Sequence, residues 1–292
     1  MPLFRRLGDF LSLVKFSHTI FALPFALLGF FLGVLHRGSL PWQELLLVVL
    51  CMVFARSAAM AFNRWLDRDI DGKNPRTAVR EIPAGKISSR SALAFVIINC
   101  LLFVGATYLL NPLCFALSPI ALLVILGYSY TKRFTYLCHF VLGLGLALAP
   151  VGAYLAVTAQ WALLPVLYGF VVLLWVSGFD IIYALQDEGF DRDEDLFSIP
   201  VRLGTVNALR LGRLLHLLCA SVLVYALWYQ GSLYPEFQWL SLVAGLIFIS
   251  CLIYQHSLVK AGDLSRINLA FFTTNGVASL LFGAMTIVDI YW

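Results

Sequence analysis

Two groups of acidic residues stand at the ends of hydrophobic segments, in a chain that otherwise avoids charge. The first group lies in the segment 63–71 and the second in the segment 180–195. Together they hold ten of the sixteen Asp and Glu residues. Carboxylates beside hydrocarbon cost free energy, so they usually mark a functional site. A pair of divalent cations that hold a diphosphate would use them.

Within both groups, polar side chains recur every four residues, which places them on one face of a helix. The first series is Asn63, Asp67 and Asp71, and the second, 120 residues later, is Tyr183, Asp187 and Asp191, with Asp180 preceding it. Two facing carboxylate stripes would form an oxygen-rich site suited to Mg²⁺, completed by phosphate oxygens. The repeated spacing is consistent with an internal pseudo-repeat, which would place a site between the halves.

Basic residues lie among these acids and favour a phosphorylated ligand. They are Arg64, Arg68, Lys73, Arg76, Lys132, Arg133 and Arg202. A site for cations alone would repel them, whereas an anion bridged by metal attracts both signs. The competing interpretation is a solvated loop or a topology signal at a membrane surface. We accept that interpretation for Asp69, Glu188, Asp193 and Glu194, which lie off the stripes.

The composition predicts the elements that must position these residues. The 292-residue chain is 61% hydrophobic and 12% charged, whereas soluble domains are about 45–50% apolar and roughly 25% charged. Its apolar segments are too long for barrel strands of about 9–11 residues. We predict one all-α membrane domain over 1–292. Its nine transmembrane helices are predicted at about 16–35, 42–62, 91–109, 113–130, 136–156, 162–182, 209–229, 238–256 and 267–289.

The distribution of positive charge predicts the orientation. Eighteen of the twenty Lys and Arg fall on one side, including Arg5, Arg6 and Lys15 before the first predicted helix. The positive-inside rule makes that side cytoplasmic. We therefore expect a cytoplasmic N-terminus and a cytoplasmic mouth for both acidic groups, in a bacterial inner membrane.

Three motifs resemble those of the UbiA superfamily of intramembrane prenyltransferases. The pattern N-R-x-x-D-x-x-x-D, followed by N-P-R-T, occupies 63–77 and resembles the family's first aspartate-rich motif. The pattern D-x-x-Y-x-x-Q-D-x-x-x-D, within 180–195, is similar to the second. The run Y-S-Y-T-K-R at 128–133 resembles the family's Tyr/Lys/Arg segment. Arg64 departs from one common form of the first motif, in which many members have Asp.

This resemblance implies a helical bundle around a central cavity that opens laterally to lipid. A polyprenyl diphosphate would bind there through two Mg²⁺, and its prenyl chain would be transferred to an aromatic ring. The implied metal ligands are Asn63, Asp67, Asp71, Asp187 and Asp191, of which the four aspartates are the catalytic residues. The implied substrate-binding residues are Arg76 and Lys132 at the diphosphate, with Tyr128, Arg133 and Tyr183 nearby.

The resemblance leaves alternatives for the acceptor. The run 63–88 is most similar to members that prenylate 4-hydroxybenzoate, and it is also similar to a branch proposed for futalosine-type menaquinone synthesis. Arg56 lies inside the predicted helix 42–62, and an intramembrane Arg suggests a function. It would either anchor an acceptor carboxylate or pair with a nearby acid.

The expected partners are thus a polyprenyl diphosphate, a small aromatic acceptor and the lipid bilayer, and no nucleic acid. A cation-coupled transporter is the alternative from another class of protein. A transporter should place its polar residues deep in broken helices, whereas these carboxylates cluster at one mouth.

Overall fold

The computed structural model describes residues 8–10, 12–13, 21–235 and 239–291, and within these ranges the chain is helical without β-strands. Its helices are α1 (Leu23–Arg37), α2 (Trp42–Leu66), α3 (Arg68–Lys73), α4 (Ser89–Leu110), α5 (Pro112–Thr131), α6 (Cys138–Thr158), α7 (Leu163–Ala184), α8 (Glu188–Asp193), α9 (Ile199–Leu233), α10 (Trp239–Leu258) and α11 (Asn275–Tyr291). A 3₁₀ turn, Leu185–Asp187, joins α7 to α8. A π-helix, Leu269–Thr274, precedes α11.

Eight helical segments in the described ranges are long and apolar enough to cross a membrane. They contain α2, α4, α5, α6, α7, α9, α10 and α11. Helix α1 is apolar but has 15 residues. The described helices thus confirm an all-α integral membrane fold, with nine transmembrane helices as an approximate count. The predicted start of the first helix at 16 lies outside the described residues, as do Arg5, Arg6 and Lys15.

Small residues let α6 approach its neighbours closely. A Cβ atom on Gly143 would lie 2.5 Å from the hydroxyl oxygen of Ser177 on α7, and one on Gly29 of α1 would clash with the backbone carbonyl of Pro150. Such close backbone approach is typical of packing between membrane helices. The two contacts fix α6 between α1 and α7.

Buried aromatic rings fill the space between α1, α7, α10 and α11. The rings of Phe25 and Phe282 stack with centroids 5.5 Å apart, and those of Trp175 and Phe248 lie 5.3 Å apart. All four side chains are fully buried. Large planar side chains supply much buried apolar area and prefer such offset and edge-on arrangements. This core supports α7 along most of its length.

Helices α2, α5 and α7 end, and α6 and α9 begin, at one end of the bundle. Two of these helices break there. Helix α2 gives way to α3 at Asp67, and α7 gives way to the 3₁₀ turn after Ala184. Helix α9 is kinked at Gly204, whose φ of 73° is open to glycine but strained for other residues. The short elements that follow these breaks cover the end of the bundle.

Candidate active site

A cavity of about 250 Å³ lies at this end of the bundle. Both acidic segments and the connection between α5 and α6 line it. Its chemically active side chains are Asn63, Asp67, Asp71, Asn74, Arg76, Thr77, Arg80, Tyr128, Ser129, Lys132, Cys138, His139, Asp180, Asp187, Asp191 and Ser198. Eight of the predicted site residues are among them, although the two acidic segments are more than 100 residues apart in sequence.

The break between α2 and α3 preserves the four-residue spacing of the first acidic series. The Asp67 N–H donates to the Asn63 carbonyl at 2.9 Å, and the Asp71 N–H donates to the Asp67 carbonyl at 2.7 Å. Helical hydrogen bonding therefore continues across the boundary. Both carboxylates consequently face the cavity.

Asp67 is held by two cations from the connection after α5. Lys132 Nζ lies 2.8 Å from Asp67 Oδ2, and Arg133 Nη2 lies 2.8 Å from Oδ1. The same guanidinium also donates to the backbone carbonyls of Ser129 and Leu66. Arg133 does not line the cavity, and it acts on the site by fixing Asp67 to α5.

Asp71 pairs with Arg80, a residue that the sequence motifs did not assign to the site. Arg80 Nη1 donates to both carboxylate oxygens of Asp71, at 2.7 and 2.8 Å. The Thr77 hydroxyl donates to the Asp71 carbonyl at 3.0 Å, which folds the loop after α3 back over the cavity. Arg80 follows the predicted site residue Arg76 by four positions. That spacing could have indicated Arg80, because a tight turn can bring both guanidinium groups to one site.

Four residues of the second acidic segment line the cavity, namely Asp180, Ala184, Asp187 and Asp191. Their spacings of four, three and four residues place them on one helical face. Tyr183 is instead packed on the ring of Phe271, with centroids 4.0 Å apart. Tyr183 is half-buried and is not one of the residues that line the cavity.

Arg76 joins the two acidic segments directly. Its Nε and Nη2 atoms donate to the Asp187 carboxylate at 3.0 and 2.5 Å. The Asn74 side-chain oxygen accepts from the Arg76 N–H at 2.9 Å and orients this residue. Burial works against the charge on Arg76, but the Asp187 carboxylate outweighs it and raises the pKa of the guanidinium. Arg76 also lies 6.0 Å from the Tyr183 ring.

His139 on α6 and Asp180 on α7 form a pair in the wall of the cavity. His139 Nδ1 lies 2.7 Å from Asp180 Oδ2. Asp180 was recognised in the sequence as the start of the second series, but nothing in the sequence pointed to His139. The two residues are 41 positions apart and meet only because α6 packs on α7.

Several predicted cations have partners away from the cavity. Arg64 pairs with Glu81 at 2.8 Å, and both side chains are buried. Lys73 pairs with Glu194 at 2.5 Å, and Arg202 lies over the ring of Tyr136. Some of the basic residues that lie among the acids in the sequence therefore stabilise the fold and do not face the cavity. Asp69 and Asp193 are exposed, as predicted.

Arg56 lies on α2, seven residues before Asn63, and does not line the cavity. Its Nε atom is buried and has no hydrogen-bond partner among the described residues, which also provide no salt bridge for it. The predicted alternative of a nearby acid partner is therefore wrong for the described part of the chain.

The model of the UbiA prenyltransferase family matches residues 22–277. The chain belongs to this family. It is 34% identical over 257 residues to the 4-hydroxybenzoate octaprenyltransferase of Aliivibrio salmonicida, and the match covers 85% of each chain.

Solved structures of UbiA homologues have the same fold. The apo structure of a homologue from Aeropyrum pernix has a TM-score of 0.82 and 32% identity, covering 93% of this chain and 98% of that one. A homologue from Archaeoglobus fulgidus, bound to DMAPP and Mg²⁺, has a TM-score of 0.75 and 21% identity, covering 97% and 99%.

Membership of the UbiA family makes this protein a polyprenyltransferase. It decides against the cation-coupled transporter that the sequence left open. The cavity lies at one end of the bundle, where the described helices break, as expected for a site that receives a charged head group while a chain stays in the bilayer.

The donor atoms around the UbiA cavity suit a hard divalent cation. They are carboxylate oxygens together with the amide oxygens of Asn63 and Asn74. Within the described ranges, no three His, Cys, Asp or Glu residues form a preassembled metal site. Mg²⁺ generally binds one or two carboxylates together with substrate phosphates. The residues therefore fit a metal that binds together with a diphosphate.

Proposed function

We propose that this UbiA protein transfers a polyprenyl chain from polyprenyl diphosphate to a ring carbon of 4-hydroxybenzoate, with Mg²⁺ as cofactor. The observation that carries the proposal is the convergence of both acidic segments and three basic side chains on one cavity. Asn63, Asp67, Asp71, Asp187 and Asp191 would hold the metal ions. Mg²⁺ would supply neutralisation of the charge that develops on the departing diphosphate.

The basic residues that bind the diphosphate are Arg76, Arg80 and Lys132. Each now contacts a carboxylate that the metal would occupy. With a diphosphate and its metal bound, Asp67, Asp71 and Asp187 would hold the metal. The three basic side chains would then donate to phosphate oxygens, which are good acceptors for charge-assisted hydrogen bonds.

Arg56 is the proposed anchor for the carboxylate of the acceptor. A buried guanidinium nitrogen without a partner costs free energy, and an acid from solution would relieve that cost. Tyr128, which lines the cavity, lies within electrostatic range of Arg56, Asp67 and Asp180. Tyr128 therefore connects Arg56 to the carboxylates at the reaction centre. The name of the similar Aliivibrio enzyme supports 4-hydroxybenzoate as the acid.

The orientation proposed from the positive-inside rule puts the cavity mouth in the cytoplasm of a bacterial cell, at the inner membrane. Diphosphates and small aromatic acids are water-soluble at their charged ends, so both would reach the mouth from that side. The prenyl chain would remain in the bilayer.

The test is product formation by the purified protein in lipid. We expect a prenylated aromatic acid and free diphosphate when polyprenyl diphosphate, 4-hydroxybenzoate and Mg²⁺ are all present. Dihydroxynaphthoate and hydroxynaphthoate-type acids serve as competing acceptors and test the menaquinone alternative. Activity only with a non-aromatic acceptor would refute the proposed acceptor class.

A further inference from the structure

Asp180 is held differently from three other carboxylates of the cavity. Asp67, Asp71 and Asp187 each accept from a Lys or Arg side chain. The side chain of Asp180 is instead hydrogen-bonded to the ring of His139, at 2.7 Å. Asp180 has 23% of its side chain exposed and faces the cavity, whereas His139 has only 4% exposed.

The second nitrogen of His139 fixes the orientation of the ring. His139 Nε2 accepts from the backbone N–H of Ile199, the first residue of α9, at 3.3 Å. The ring is thus held by α9 through Nε2 and faces Asp180 through Nδ1. These two contacts fix the orientation of the ring and, through it, the orientation of the Asp180 carboxylate at the cavity.

The surroundings of this pair contain few competing groups. Tyr128 on α5 lies within electrostatic range of Asp180. Cys138 adjoins His139, and Lys132, Asp187 and Asp191 face it across the cavity. Lys132 is bound to Asp67 at 2.8 Å. No cation in the described part of the chain lies within ion-pair distance of Asp180 apart from the His139 ring.

The proposed reaction requires a base of this kind. The C1–O bond of the allylic diphosphate breaks and its electron pair leaves with the diphosphate. A ring carbon of the acceptor forms a bond to C1 and then carries both the prenyl group and its original hydrogen. That hydrogen must leave as a proton, and its bonding pair restores the aromatic ring.

We propose that Asp180 is the general base that accepts this ring proton, with His139 as the residue that positions it. The assignment rests on the function proposed above. The carboxylates that would hold metal ions are poor bases while bound, because their lone pairs are engaged. Asp180 is not among the proposed metal ligands, it is exposed to the cavity, and its partner is the His139 ring rather than a Lys or Arg side chain. Its proton then passes to water at the mouth.

The variant that tests the proposal is Asp180→Asn, which keeps the shape of the side chain and an oxygen that can accept from His139. General base catalysis is worth about 10²–10⁴-fold, so we expect kcat to fall by at least ~10². The KM for polyprenyl diphosphate should not change, since the variant leaves the diphosphate ligands in place. Asp193→Asn, on an exposed residue of α8, is the matched control and should keep wild-type kinetics.

A kinetic isotope effect separates the loss of a base from a loss of structure. With an acceptor deuterated at the attacked ring carbon, Asp180→Asn should show a larger isotope effect on kcat than the wild type, because proton removal becomes rate-limiting. If Asp180→Asn does not fold, His139→Gln is used, and it should show the same increase with a smaller fall in kcat.

Two results would overturn the assignment while leaving the proposed function intact. One is an Asp180→Asn variant with wild-type kcat, and the other is a lower kcat with an unchanged isotope effect. Failure of the wild-type protein itself to prenylate any aromatic acid is a separate result. It would refute the proposed function and the base together.

Discussion

The buried ion pair between Arg64 and Glu81 should make the fold sensitive to the loss of either partner. Arg64 Nη1 lies 2.8 Å from Glu81 Oε2, with only 4% and 10% of the side chains exposed. The Ser12 hydroxyl donates to the other carboxylate oxygen at 2.5 Å. The backbone carbonyl of Glu81 also accepts from the N–H groups of Lys86 and Ile87. This pair therefore attaches the loop after α3 to the end of α2.

Removing one partner leaves the other charge buried without compensation, which costs about 3–5 kcal/mol. We therefore expect Glu81→Ala to lower the free energy of unfolding by roughly that amount. Replacing both charges with apolar residues, Arg64→Met with Glu81→Leu, should cost much less than the two single changes added together, because no buried charge remains.

The assay is unfolding in mixed micelles by titration with SDS, followed by circular dichroism. The exposed pair Arg37–Glu44 provides the control, with 45% and 25% of its side chains exposed. Such surface pairs contribute about 0–1 kcal/mol, so Glu44→Ala should change little. The reasoning is wrong if Glu81→Ala is no more destabilising than Glu44→Ala, or if the double variant equals the sum of the single ones.

The same pair predicts a dependence on pH. Burial alone would raise the pKa of Glu81, but the hydrogen bond from Ser12 and the charge of Arg64 outweigh it and lower the pKa below its ordinary value of 4.5. A carboxylate with a lowered pKa contributes stability that is fully present above 4.5 and is lost as the pH falls through the folded-state value. The difference in stability between wild type and Glu81→Ala should therefore shrink in acid.

Three further predictions concern activity. EDTA should abolish prenyl transfer and Mg²⁺ should restore it, and full turnover in chelator would contradict the metal assignment. Asp187→Ala should lower kcat by at least ~10². Asp69→Ala is its control and should retain activity, because 80% of the Asp69 side chain is exposed. Equal losses in both variants would contradict the role of Asp187 as a metal ligand. Arg80→Ala should raise the KM for polyprenyl diphosphate more than the KM for the aromatic acid, and Arg56→Leu should do the reverse, as steady-state kinetics with each substrate varied will show.

Membrane class and helix positions were predictable from the sequence because hydropathy dominates in a bilayer. A run of about twenty apolar residues has few alternatives to a spanning helix. The four-residue spacing of Asn63, Asp67 and Asp71 also gave the right face of the chain, since helical hydrogen bonding continues through the break at Asp67. Local periodicity was sufficient in both cases.

The second acidic segment shows where periodicity was insufficient. The four-residue spacing predicts Tyr183 and Asp187 on one face, but Asp187 lines the cavity whereas Tyr183 packs on Phe271. Phe271 belongs to a π-helix 88 residues further along the chain. The preference of Tyr183 for that ring is a tertiary contact, and such contacts override local spacing. His139 was missed for the same reason.

The pairing of acids with bases explains how so many charges can share one cavity beside a membrane. Five carboxylates face it, from Asp67, Asp71, Asp180, Asp187 and Asp191, and four cationic side chains, Arg76, Arg80, Lys132 and Arg133, contact three of them. Asp191 has no salt bridge in the described ranges. These nine side chains carry one more negative than positive charge. That excess would disfavour a bare diphosphate and favour the metal complex of the substrate that we propose.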